Sequence, residues 1–271
     1  MPDKPVISTF TFIRRVDVSL MPEKKREMRF TLIIPARYQS TRFPGKPLAL
    51  IHGKPMIIHV MERAREVLDE VWVATDHEGI AQTVRDYGGQ VVMTSPDHAS
   101  GTDRCAEAAR IIAQTSPIDV VINVQGDEPF IRPEQIRELM GCFTPGVEIA
   151  TLVRRITDPA DLENPNKPKV VLGRGGEALY FSRSAIPYLR GRERSEWVTT
   201  HDYWAHIGLY GYRLDVLNAI TRLPAGTLET AESLEQLRWL ENGYRIQTAV
   251  TEWVSIGIDT PADLEEALKR L

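Results

Sequence analysis

From Arg29 to about residue 145 the chain alternates short apolar runs with helix-length amphipathic stretches, and few folds accommodate that rhythm. Residues 30–35 (FTLIIP), 70–76 (EVWVATD), 90–94 (QVVMT) and 119–127 (DVVINVQGD) read as strands, the first and last as fully buried ones. Between them, residues 55–67 carry apolar side chains at helical spacing behind a proline. Residues 79–87 form a helix ended by Gly88-Gly89, and residues 100–113 open on a Ser/Thr/Asp cap. Pro133 opens a further helix. Such alternation requires right-handed crossovers, and so an α/β fold with a mostly parallel, Rossmann-like sheet and helices on both faces.

Beyond residue 145 the pattern changes. EIATLVRRI reads as a strand, and KPKVVLGRGGEALYFSR as two more joined by a Gly-rich hairpin at 174–176. WAHIGLYGYR alternates, LETAESLEQLRWLENG reads as one amphipathic helix closed by Gly243, RIQTAV and VSIGID read as strands, and Pro261 opens a last helix. The predicted organisation is an α/β part over 29–145, a smaller mixed α+β insertion over 146–245, and a strand and helix over 246–271 returning to the main sheet. Residues 1–28 show no sustained period and read as a disordered lead or an upstream start, with Met28 a plausible true beginning.

Composition excludes several classes. A net charge of −4 leaves no basic field for nonspecific nucleic-acid binding, so any anion must be held by a local cluster. No run approaches the roughly 18 apolar residues of a membrane helix. The two cysteines, Cys105 and Cys142, fall in helix-like segments without CxxC, which predicts buried, reduced thiols and a cytoplasmic setting.

One loop supplies such a cluster. Residues 32–46 (LIIPARYQSTRFPGK) run from an apolar strand into Arg37, Arg42 and Lys46, spaced by turn-forming residues. Pro35 stops the strand, Pro44-Gly45 forces a turn, and Lys46 precedes the return to apolar sequence. Ligands of open α/β sheets sit outside the carboxyl ends of the strands, where this loop lies. Planar Arg forks and a compact Lys charge suit several phosphates at once. Neither GxxxxGK[ST] nor GxGxxG occurs, so this is a different phosphate loop.

Two aspartates follow apolar runs in the same way. Asp127 stands after VVINVQG, with Gly126 permitting close backbone approach; it is suited to hold Mg²⁺ or to cap a turn. Asp259 in SIGIDTP is either a second carboxylate for the same ion or the N-cap of the last helix. The six histidines show no metal-ligand spacing. His206 and Tyr210 lie on one face of an alternating strand, and Arg183 at a strand end is suited to a carboxylate. Glu235 and Gln236 read by default as a solvated helix face.

These residues together resemble the 3-deoxy-manno-octulosonate (KDO) cytidylyltransferase family, also called CMP-KDO synthetases. The motifs are IIPARYQSTRFPGKPL, VATDHEGI, SGTDR, NVQGDEP, ALYFSR, HIGLYGYR, LEQLR and GIDTP, in order from Leu32 onward. The resemblance implies transfer of CMP from CTP to KDO with release of pyrophosphate, for lipopolysaccharide biosynthesis. It implies that Arg37, Ser40, Arg42 and Lys46 bind the CTP phosphates, with Lys46, Arg42 and Asp127 as catalytic groups. Pro35, Ala36, Thr75, Asp76, Ser100, Gly101 and Arg104 would frame cytidine. Gln125, Arg183, His206, Tyr210, Glu235 and Gln236 would surround the acidic eight-carbon sugar, and Asp127 with Asp259 would hold Mg²⁺. It further implies a homodimer, with the 146–245 insertion serving sugar binding and dimerisation. Alternatives are a cytidylyltransferase for 8-amino-KDO or sialic acid, and a non-catalytic CTP-binding regulator.

Overall fold

The computed structural model describes residues 28–39, 42–254 and 257–270. The expectation for residues 1–28 therefore falls outside it, except at Met28, which packs against the core.

The first unit is β1 (Phe30–Ala36), the two-residue strands β2 (Leu50–Ile51) and β3 (Lys54–Pro55), and helix α1 (Met56–Arg65). Then follow β4 (Val71–Thr75), α2 (Glu78–Asp86), β5 (Gln90–Met93), α3 (Gly101–Ile112), β6 (Val120–Asn123) and α4 (Pro133–Gly141). The rest comprises β7 (Ile149–Ile156), α5 (Pro159–Glu163), β8 (Lys169–Leu172), β9 (Ala178–Ser182), α6 (Trp197–Thr200), β10 (Tyr203–Arg213) and α7 (Leu214–Ile220). The chain closes with α8 (Thr227–Glu232), α9 (Gln236–Glu241), β11 (Ile246–Val250) and α10 (Pro261–Arg270).

Nine strands form one sheet: seven run in the order β11-β7-β10-β6-β1-β4-β5, β8 pairs with β10, and β9 pairs with β8. Pairings β1–β4, β4–β5, β1–β6 and β7–β11 are parallel, and β10 runs against both its neighbours. The mostly parallel α/β fold is as predicted. The sheet does not stop near residue 145, since β7 and β10 continue it.

Pleating explains the helical layers. Leu32 and Ile34 of β1 enter one core with α1, α2 and α4, while Ile33 enters the opposite core with α3, α7 and α9. A strand buried on both faces must be apolar at every position, which is what LII provides.

Two sequence-based expectations fail locally. The segment LETAESLEQLRWLENG is two short helices, because Ser233 takes a left-handed conformation (φ 51°, ψ 50°). The break turns Glu235 and Gln236 inward instead of leaving them on a solvated face: Gln236 is 5% exposed, and Glu235 accepts hydrogen bonds from α3. Nor do the described residues 257–259 of VSIGID form a strand; they are a loop in which the Ile258 N–H donates to the Asp127 carbonyl (2.9 Å).

Candidate active site

Strands β4, β1 and β6 are neighbours, so their carboxyl-end loops open side by side. A cavity of about 230 Å³ lies there. Its lining includes Pro35, Ala36, Arg37, Arg42, Lys46, Ser100, Gly101, Arg104, Gln125, Asp127 and Asp259. Eleven residues singled out from the sequence are thus brought together from four separate segments. Ser40 lies outside the described residues.

Lys46 is the hub. Its ammonium donates to Asp127 Oδ2 at 2.7 Å and to Asp259 Oδ1 at 3.5 Å. Arg42 donates to the same Asp259 oxygen at 3.0 Å. Lys46 is largely shielded (13% exposed), whereas Asp259 and Arg42 reach solvent. Two carboxylates therefore already converge on one cationic point. An all-oxygen donor set with room for substrate oxygens fits Mg²⁺, which takes one or two carboxylates and completes its shell from phosphate and water.

The convergence has local causes. Gly45 adopts φ 72°, and its N–H donates to the Tyr38 carbonyl (2.9 Å), folding the loop so that Lys46 points back toward β6. Gly126 is needed because a Cβ there would meet the Pro35 carbonyl at 2.7 Å. The sequence left Asp259 as ligand or cap. Thr260 caps α10 instead, accepting from the Asp263 N–H, while Asp263 accepts from the Asp259 and Thr260 amides. The Asp259 carboxylate is thereby left for Lys46 and Arg42.

The opposite wall is the start of α3. Ser100 caps it through the Asp103 N–H, and Ser100–Gly101 face the cavity. Arg104 is buried, bonded to Thr94 Oγ1 (2.6 Å) and Asp76 Oδ2 (3.0 Å), so it anchors Asp76 at the end of β4. Thr75 is fully buried, and Asp76 lines an adjoining cavity.

A second group lies behind this wall. The His206 and Tyr210 rings are 5.3 Å apart, His206 stands edge-on to Phe181, and a strand irregularity separates Ile207 from Tyr210. Desolvation lowers the His206 pKa to about 3. Burial also raises the Glu235 carboxyl above its ordinary value, and its oxygens accept from Ser100 Oγ (3.1 Å) and Thr102 Oγ1 (2.8 Å). Glu235 thus connects the two groups. The amide nitrogen of Gln236 is buried without a hydrogen-bond partner. Arg183 stands apart: its guanidinium donates to the carbonyls of Glu232, Pro165 and Ser233.

Sequence reasoning missed His98, which also lines the cavity and is held by the Glu107 carboxylate. Only its place two residues before the α3 cap pointed to it.

A sequence profile described as Cytidylyltransferase matches residues 31–246. The 3-deoxy-manno-octulosonate cytidylyltransferase of Parabacteroides distasonis is 57% identical over 246 residues, covering 89% of this chain and 97% of the relative. The chain belongs to the 3-deoxy-manno-octulosonate cytidylyltransferase family. A second relative of that name, from Cytophaga hutchinsonii, is 56% identical over 86% of this chain and 93% of its own. Among solved structures, CMP:2-keto-3-deoxy-manno-octonic acid synthetase complexed with CTP superposes with a TM-score of 0.81 at 44% identity, covering 89% of this chain and 98% of that one. The profile ends at residue 246, so Asp259, which shares Lys46 with Asp127, lies beyond the span it matches in this family member.

Proposed function

We propose that the chain transfers CMP from CTP to KDO, releasing pyrophosphate and activating the sugar for lipopolysaccharide assembly. The observation that carries this reading is the Lys46 ammonium set between Asp127 and Asp259 at the mouth of the parallel strands. Nucleotidyl transfer requires alignment and charge stabilisation more than covalent help from the protein.

In this reading Arg37, Arg42 and Lys46 grip the triphosphate, with Lys46 stabilising charge that builds on the departing pyrophosphate. The backbone of Pro35–Ala36 and Ser100–Gly101 frames cytidine, while Arg104 keeps Asp76 in place beside it. Asp127 and Asp259 hold Mg²⁺, which when bound neutralises phosphate charge and makes the sugar hydroxyl more acidic. In its absence Lys46 serves as the counter-charge that keeps the two carboxylates together. Gln125, Tyr210, Gln236 and His206 accept the sugar; the unpartnered Gln236 amide is the kind of buried donor a polyhydroxylated ligand satisfies. Glu235 contributes through Ser100, and Arg183 joins them if its carbonyl contacts release. We infer a cytoplasmic setting, which a CTP-consuming reaction supports. We further infer a homodimer assembled through the second half of the chain, for which sedimentation at micromolar concentration is the test.

Pyrophosphate release in the presence of CTP and Mg²⁺ tests the reading, with KDO, 8-amino-KDO and sialic acid compared. Release with KDO well above the other two is expected. Release only with sialic acid would move the substrate, and none with any sugar would leave a non-catalytic CTP binder.

A further inference from the structure

Tyr38 sits in the phosphate loop between Arg37 and the turn that ends at Lys46. Its ring is 38% exposed, so it fills no core. It is nevertheless held on two sides. It stacks on His77 with centroids 4.1 Å apart and planes 13° from parallel. It also faces Gly45 so closely that a Cβ there would stand 3.3 Å from the ring. The Tyr38 carbonyl accepts the Gly45 N–H. One residue thus grips the far end of the loop through both ring and backbone.

His77 is a firm platform. It is the residue before α2; its carbonyl accepts from the Ile80 and Ala81 amides, and its own N–H donates to Thr75 Oγ1. Its ring Nδ1 is buried with no hydrogen-bond partner, so the imidazole is placed by the stack and not by a polar tether. The β4–α2 turn that carries His77 follows Asp76, which Arg104 anchors.

We propose that the Tyr38–His77 stack is the positioning element of the phosphate loop, setting the distance between Arg37 and Lys46 across the nucleotide cavity. Tyr38 and His77 act through those cations and not on the reacting atoms. This inference rests on the CTP reading given above. A stack of this kind is a modest, geometry-dependent attraction between rings, so its loss loosens the loop without unfolding the sheet.

The test compares Tyr38→Leu, Tyr38→Phe, His77→Ala and the Leu/Ala double variant. Tyr38→Leu is expected to raise KM for CTP about five- to ten-fold and to lower kcat, because Lys46 also serves the leaving pyrophosphate, with KM for the sugar nearly unchanged. Tyr38→Phe restores the wild-type KM, because the ring and not the hydroxyl does the stacking. His77→Ala reproduces the defect, and the double variant is no worse than either single one. A wild-type KM in Tyr38→Leu, or additive losses in the double variant, overturns the proposal. Equilibrium binding of CTP to the same variants keeps the test separate from the catalytic reading. Were the wild type to bind CTP but release no pyrophosphate, the catalytic reading would fail while weakened CTP binding by Tyr38→Leu still supported the stack.

Discussion

Single residues in this chain are placed where ordinary protein chemistry would not leave them, and each displacement has a consequence. His206 is the strongest case, its pKa lowered to about 3 by desolvation among Phe181, Tyr210 and Thr151. The folded protein keeps it neutral while the unfolded chain protonates near the ordinary value of 6.5. Between those values the unfolded state binds more protons, so stability is lost as pH falls from 6.5 toward 3. His206→Asn removes that contribution. Urea unfolding at pH 7 and pH 5 should show the wild type losing up to about 1 kcal/mol per pH unit relative to the variant. Equal pH slopes would show that the imidazole is solvated after all.

At the scale of elements, the decisive feature is the break between α8 and α9. The apolar periodicity of residues 228–243 reads as one helix, and it misleads because periodicity does not register a single residue at positive φ. Ser233 is that residue, and a side chain there is strained. Ser233→Gly should raise stability by about 0.5 kcal/mol and Ser233→Val lower it by more than 1 kcal/mol, measured by chemical denaturation. If valine were tolerated, the break would not depend on that conformation. By contrast β1, β4, β6, α1 and α3 were legible, since a doubly buried strand and a capped helix each leave a local signature. So was the cationic loop. Less legible was everything that depends on which segments meet. No local pattern tells that Asp259 reaches Lys46 on a loop, that Thr260 relieves it of capping, or that Glu235 turns inward onto Ser100.

The molecule as a whole is a continuous sheet whose parallel core supplies one charged mouth. The β10–β7–β11 side brings a second, drier group of polar residues against the wall of that mouth, with Glu235 bridging the two. In the proposed reading such a layout keeps the triphosphate at the cationic mouth and the acidic, hydroxyl-rich sugar on the drier side, the two meeting at a single edge. Against a net charge of −4, the loop of Arg37, Arg42 and Lys46 is a local concentration of positive charge, suited in the proposed reading to a triphosphate. Transfer of CMP at this mouth, with Asp127 in the metal pair, is the proposed reaction. Its most direct measurement is a ³¹P NMR time course of CTP, KDO and Mg²⁺ with the wild type and with Asp127→Asn. The wild type is expected to convert the triphosphate signals into a CMP-sugar phosphodiester and pyrophosphate. Asp127→Asn, with an unchanged circular dichroism spectrum, should do so at least about 100-fold more slowly. Near wild-type conversion by that folded variant, or no phosphodiester signal from the wild type, would contradict it.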